Sequence, residues 1–308
     1  MSVCLSRIAT VLAMLLLLPP HLHSRPAPSP SADDLAREQA AQLDFTRALR
    51  TLRAAGHPDE AGRPSGDTTG PDNEAPLRRQ LAVAAALLGA QPRTASHIGE
   101  ALAIARAVSS ASPSASGPLC IAARYLEARI LQSHLEPPDP AGARALYADL
   151  LATAPEAPLA QHGGVWLITS LLFQPLPAPT AAASATPSIS REARLAEAEA
   201  VLPLLTLPAA ERDARYLIGR ARLRWRLDPL AARHHLERAA AIGFSQVQRQ
   251  NSLLVTVGEL ASETGDAALA IRCYETFLQS ASRDTRAFTL RQRLAALKQA
   301  GAPKKAEG

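Results

Sequence analysis

The side chains best placed to do chemistry in this chain are arginines. Arg220, Arg222, Arg224 and Arg226 alternate along one short stretch. On a helix, alternate positions spread around the axis, but Arg215, Arg222 and Arg226 gather on one side. Guanidinium groups held together in this way can clamp carboxylates with paired hydrogen bonds. If Ala221 lies where this helix crosses its neighbour, the three arginines face an open groove and become candidate partner-binding residues. The competing use is salt bridging to nearby Glu and Asp. Glu259 and Glu263, four apart, also share a helix face. Without a converging partner they read as a solvated pair and not as an acid–base couple. Glu259 joins the arginines as the fourth candidate for partner binding. On this reading Arg222→Glu should weaken partner capture and leave melting unchanged.

Other chemistries find little footing. His234 and His235 are adjacent, so they point to different helix faces, and no His or Cys four residues away completes a metal site. Ser170 has no nucleophile-elbow context, and no glycine-rich phosphate loop is present. Trp166 falls on an apolar face and is expected to pack in the core. Cys4 precedes an apolar run, which leaves Cys120 and Cys273 in a processed chain; in an oxidising compartment they could pair, but isolated buried thiols are the commoner outcome for helical cysteines. No residue is assigned a catalytic, cofactor-binding or metal-binding role.

The composition says which elements carry these residues. Hydrophobic residues make up 47% but aromatics only 4%, so the apolar content is mostly Ala and Leu, which favour helices over strands. The 25 prolines are too many for helix interiors and must punctuate them. An all-α fold follows. The net charge of +5 is mild, and the basic residues are interleaved with acids along most helices. At the N-terminus, Arg7, the apolar run 8–18 and Pro19-Pro20 resemble a signal peptide. Cleavage after Ser24 is expected, with Ser31 as the other site and an uncleaved anchor as the alternative. This makes the periplasm or the exterior the expected location.

The expected organisation is a signal peptide (1–24), then a leader, N-terminal helix and flexible loop (25–75), then a helical domain (76–299), and a tail (300–308). A low-complexity insertion at 174–189 interrupts the helical domain. One helix is expected from Asp33 to Ala55, ended by Gly56. Ser96 is expected to cap the helix carrying Ala101. Asp139-Pro140 and Asp228-Pro229 are start signals, in which Asp caps and Pro takes the first helical position. Ser190 is expected to cap a helix, and Gly243 to stop one. Gly265-Asp266 marks a tight turn between two helices, and Gly258 sits where those two could cross closely.

A pattern recurs along these helices: a small residue, an apolar one four later, another three after that. It fits Ala41-Phe45-Ala48, Ala101-Ala105-Val108, Ala143-Tyr147-Leu150, Ala232-Leu236-Ala239 and Ala270-Tyr274-Phe277. Ala196-Ala200-Pro203 is a degraded copy. A proline follows five later at Pro113, Pro155 and Pro208. The step from Ala232 to Ala270 suits helical-pair repeats, whose periods are roughly 34 to 40 residues. The small residue admits the first helix of the pair, and the bulky one fills the gap to the next.

This pattern resembles the tetratricopeptide repeat. The match is best at Leu254, Val257, Gly258, Ala261, Gly265, Ala270, Tyr274 and Phe277, and good at Ala143-Tyr147-Leu150-Pro155. Trp166-Ser170-Phe173 looks like the first-helix face of the following repeat. Arg220 or Gly219 falls near the small crossover site with one residue of slip, and Pro203 occupies an apolar slot. Ala239-Ala240-Ala241 before Gly243 also looks like the related Sel1-type repeat. Either resemblance implies an α-solenoid of antiparallel helix pairs with flexible loops, and a groove that binds a protein or peptide partner without catalysis. About five pairs and a capping helix are expected. The function implied is that of an envelope scaffold or adaptor, with arginines steering acidic segments and no nucleic acid involved. The alternatives are a binding module for cell-wall glycan or anionic lipid headgroups, and a helical enzyme or its accessory domain.

Overall fold

The computed structural model describes residues 31–55, 74–174 and 190–300. The signal peptide, the polar stretch at 57–73, all but the first residue of the expected insertion and the tail from residue 301 lie outside the described residues. Among the described residues there are thirteen α-helices, one short 3-10 turn and no strand. Two compact units divide between Gly163 and Gly164.

The N-terminal unit contains α1 (Ala32–Ala41), α2 (Phe45–Ala55), α3 (Ala75–Gly89), α4 (Ala95–Ala111), α5 (Pro118–Ser133) and α6 (Pro140–Thr153). It also holds the first turns of α7 (Pro158–Phe173). From α1 to α6 each helix packs on the next, and α3 also reaches α5. One core runs through α1 to α5, so α1 and α2 belong to the same compact body as the helices that follow.

The C-terminal unit contains the rest of α7, α8 (Arg191–Val201), α9 (Pro208–Trp225), α10 (Pro229–Ile242), α11 (Val247–Glu263), α12 (Ala267–Ser280) and α13 (Ala287–Ala300). The contacts are again sequential, most extensive between α9 and α10 and between α11 and α12. Sequential stacking is what short apolar helices need, since no single pair hides its apolar face alone.

The caps explain where most helices begin. Asp139 accepts from Gly142 N at 2.8 Å, and Asp228 from Leu230 N and Ala231 N at 3.0 and 3.1 Å. Asp266 and Ser190 cap α12 and α8 in the same way. Gly243 ends α10, and Gly265 turns the chain between α11 and α12 at φ 81°, a left-handed conformation open to glycine at little cost.

The repeated triads fill the cores. Ala101, Ala105 and Val108 are fully buried, as are Ala143, Tyr147 and Leu150, Ala232, Leu236 and Ala239, and Ala270, Tyr274 and Phe277. The reason for the small residues is visible at two crossings. A Cβ added at Gly258 would lie 2.5 Å from the Tyr274 ring, and one at Gly219 would lie 2.6 Å from Leu236 Cγ. In each case a glycine of one helix takes the middle residue of the triad on the next. Gly219 is therefore the crossover residue of α9, and Arg220 is not.

Several expectations needed correction. The helix drawn from Asp33 to Ala55 is two helices. Its break is a reversal at Gln42–Asp44, where Leu43 takes φ 63° and Asp44 N donates to Gln39 O at 2.9 Å. Asp44 then caps α2 through Arg47 N. Ala41 is thus exposed, outside the triad assigned to it. Ala196 and Ala200 are exposed as well. The buried face of α8 is Arg194, Leu195, Ala198 and Val201, two residues out of register with the expected copy. Thr94, not Ser96, caps α4. Trp166 is half-buried and Phe173 lies at the surface, so truncating Trp166 should cost less than the full core penalty.

Candidate functional site

A cleft of about 890 Å³ opens in the N-terminal unit. Its walls come mainly from alternate helices, α1, α3 and α5, with α2 behind them and the start of α7 at one end. Alanines line much of it, among them Ala36, Ala40, Ala82 and Ala122. Small side chains on facing helices leave space that leucines would fill. At depth the walls are closely packed: Ala48 and Ala86 are each 1% exposed and Leu81 2%. The interior of the cleft is therefore apolar.

The mouth is charged and largely paired, with Arg37 Nε left buried and without a partner. Arg79 Nε donates to Asp33 Oδ1 at 3.0 Å and its Nη1 to Ala55 O at 3.4 Å. Arg78 pairs with Glu74 at 2.7 Å, and Arg37 with Asp34 at 2.7 Å. The Ser31 hydroxyl, and then the Arg37 charge, hold the Asp34 carboxyl below its ordinary range. These are exposed pairs, worth little as stability. They leave the mouth with both signs of charge side by side.

Three of the four residues singled out in the sequence are held in ion pairs within the chain. Arg222 donates from Nε and Nη2 to Glu199 Oε1 at 3.1 and 2.6 Å, and His235 Nε2 lies 3.2 Å from the same oxygen. This joins α8, α9 and α10. Burial pushes the His235 imidazole below its ordinary value, with Glu199 opposing. Arg215 pairs with Glu211 at 2.8 Å, and Arg238 reaches the same carboxylate from α10. Arg238 and Arg215 hold Glu211 below the usual carboxylate range. Arg226 lies beyond the end of α9, at φ 56°, because the chain turns left-handed there. It shares no helix face with Arg222. Glu259 pairs with Arg293 of α13 at 2.6 Å, an exposed contact.

Arg222→Glu thus has a different expected result from the one the sequence suggested. It would set two carboxylates together in a half-buried site. We expect a loss of about 1.5–3 kcal/mol in urea unfolding of the C-terminal unit. Arg222→Met, which keeps the packing of the stem, should lose less.

A further arginine carries a structural role that the sequence reading missed. Arg194 is 9% exposed and donates to Leu171 O at 2.5 Å and to Gln174 O at 2.9 Å, where the last carbonyls of α7 lack helical partners. The Trp225 ring lies 5.9 Å away. Burial lowers the pKa of Arg194. Its position beside Leu195 and Ala198, on the apolar side of α8, was the available signal.

Among the described residues no group of three His, Cys, Asp or Glu could hold a metal ion, and no helix is long and apolar enough to cross a membrane. Cys120 and Cys273 are both buried free thiols. Burial pushes the Cys273 thiol up to about 11, which keeps it protonated and unreactive. No protein-family model and no curated protein sequence matches the chain.

Proposed function

We propose that this chain is a non-catalytic scaffold of the cell envelope, periplasmic or secreted, built as a tetratricopeptide-like repeat and binding a protein or peptide partner in the cleft of its N-terminal unit. The observation that supports this reading is the origin of the walls. They come from alternate helices, the members that would be the first helix of each pair. Stacked pairs bury their second helices between neighbours and leave the first helices to line a groove. The alanine-rich interior would take apolar side chains of the partner, and the paired mouth would meet its polar flanks. Cell-wall glycan or an anionic headgroup fits less well, because the mouth presents no uniformly basic surface.

The test places a photo-crosslinking residue at Ala75, an exposed position on the cleft wall, and irradiates the native envelope. The expected result is a discrete protein adduct. Ala82→Trp, at a half-buried wall position, should fill the cleft and reduce that adduct at least tenfold with melting unchanged. An adduct that persists undiminished with Ala82→Trp, or crosslinks to glycan alone, would end the proposal.

A further inference from the structure

We infer that the cleft of the N-terminal unit is filled, in the unprocessed chain, by the chain's own apolar run 8–18, which keeps other ligands out until that run is removed. This rests on the partner-binding reading and adds a means of regulating it.

The occupant is chosen by where the chain runs and by its chemistry. The described residues begin at the cleft. Ser31 caps α1 by accepting from Asp34 N at 3.2 Å, and Asp33 lines the wall and pairs with Arg79 at 3.0 Å. Whatever precedes Ser31 is therefore tethered at the mouth. Twelve residues, Pro19 to Pro30, separate Ser31 from the run. A tether of that length spans up to about 40 Å, enough to let the run fold back. Ten of the eleven residues in 8–18 are apolar, Thr10 being the exception, and none is charged. The cleft matches them, with Ala36, Ala40, Ala82 and Ala122 on its walls. Segment 56–73 is also tethered there, between Ala55, whose carbonyl accepts from Arg79, and Glu74 on the wall. It carries four acids, Asp59, Glu60, Asp67 and Asp72. Burying those in an apolar cleft strips their water without return. Of the two tethered segments, only 8–18 gains by entering.

The tether also sets the strength. A short linker presents its segment at roughly millimolar concentration, however dilute the protein. Even a weak apolar affinity then fills the cleft, and a free partner competes at a disadvantage. Cleavage after Ser24, the site expected from the sequence, removes that advantage in one step.

The experiment uses the purified, unprocessed chain with a photo-crosslinking residue at Ala75, an exposed position on the cleft wall. Isotopically heavy and light preparations are mixed at micromolar concentration and irradiated, and adducts are mapped by mass spectrometry. The inference expects a crosslink from position 75 into residues 8–18 within one copy. It should fall at least tenfold with Leu12→Asp and Leu16→Asp together, and at least tenfold with Ala82→Trp. The aspartate pair leaves the cleft wall unaltered, so the test holds even if the tryptophan variant fails to fold. No crosslink to 8–18, one that joins only heavy to light copies, or one indifferent to the aspartates overturns the inference. The partner-binding reading then still stands or falls by its adduct in the native envelope. A crosslink within one copy that the aspartates abolish, with no partner adduct from the processed chain in the envelope, sustains the run as occupant and overturns the partner-binding reading.

Discussion

Tyr274→Ala will remove about 3–5 kcal/mol from the stability of the C-terminal unit. The ring is 1% exposed and sits directly over Gly258, where α11 and α12 cross. No neighbouring side chain can move in to replace it, because the facing residue has none. The lost contacts are therefore left as a cavity at the closest point of the crossing. The measurement is a urea titration followed by far-UV circular dichroism, with the midpoint falling and the slope unchanged. A loss below about 1 kcal/mol would mean that the site collapses easily and that the crossing is not tight. The reverse substitution is informative too. Gly258→Val puts a Cβ 2.5 Å from the ring, and overpacking of this kind costs about 1–3 kcal/mol. Combined with Tyr274→Ala, part of that cost should be recovered, since the two residues share one space.

The second large effect is acid sensitivity of the N-terminal unit, centred on His134. This residue ends α5, and Arg93 Nη1 lies 3.1 Å from its Nδ1. A guanidinium only donates, so Nδ1 accepts and the ring is neutral with its proton on Nε2. Burial, then the charges of Arg93 and Arg129, push its pKa from the ordinary 6.5 to about 4. The folded form therefore binds this proton less readily than the unfolded chain. Stability is complete above about pH 6.5, falls as the unfolded chain takes up the proton, and stops falling for this group near pH 4, after a loss of about 3 kcal/mol. His235 works in the same direction in the C-terminal unit. Carboxylates such as Glu211, held below their usual range, add losses at lower pH. Urea midpoints for His134→Gln should remain nearly level between about pH 7 and pH 5, where the parent declines. An equal decline in both would remove His134 from the account.

Local chemistry made much of this fold legible. Asp139-Pro140, Asp228-Pro229, Ser190 and Gly243 each carry a capping or stop signal that operates within a few residues, and each works as read. Four small-and-bulky triads were legible for a related reason, because their spacing is the helix period. Failures came where the signal was weak or the competition close. Leu43 is an improbable residue for a left-handed turn, so the break between α1 and α2 left no glycine to announce it. In α8, alanine falls on both faces, and the true inward side is marked by Leu195, Val201 and Arg194, the last polar yet buried by its bonds to carbonyls. The arginine run had two readings, a partner surface or salt bridging, and helix phase alone did not choose between them. Glu199 of α8 claims Arg222, and Glu211, four residues before Arg215 on α9 itself, claims Arg215. A groove was expected from the repeat resemblance, but not its place in the N-terminal unit. A cavity is made by what several helices lack, and the alanines at Ala36, Ala82 and Ala122 look no different in sequence from those that pack.

Because Arg78 and Arg79 already balance Glu74 and Asp33, the mouth has little net field to project into solution. Dissolved ions would have little to screen there. Whatever settles in this cleft should arrive at an ordinary, unsteered rate, and its hold should change little between dilute buffer and moderate sodium chloride.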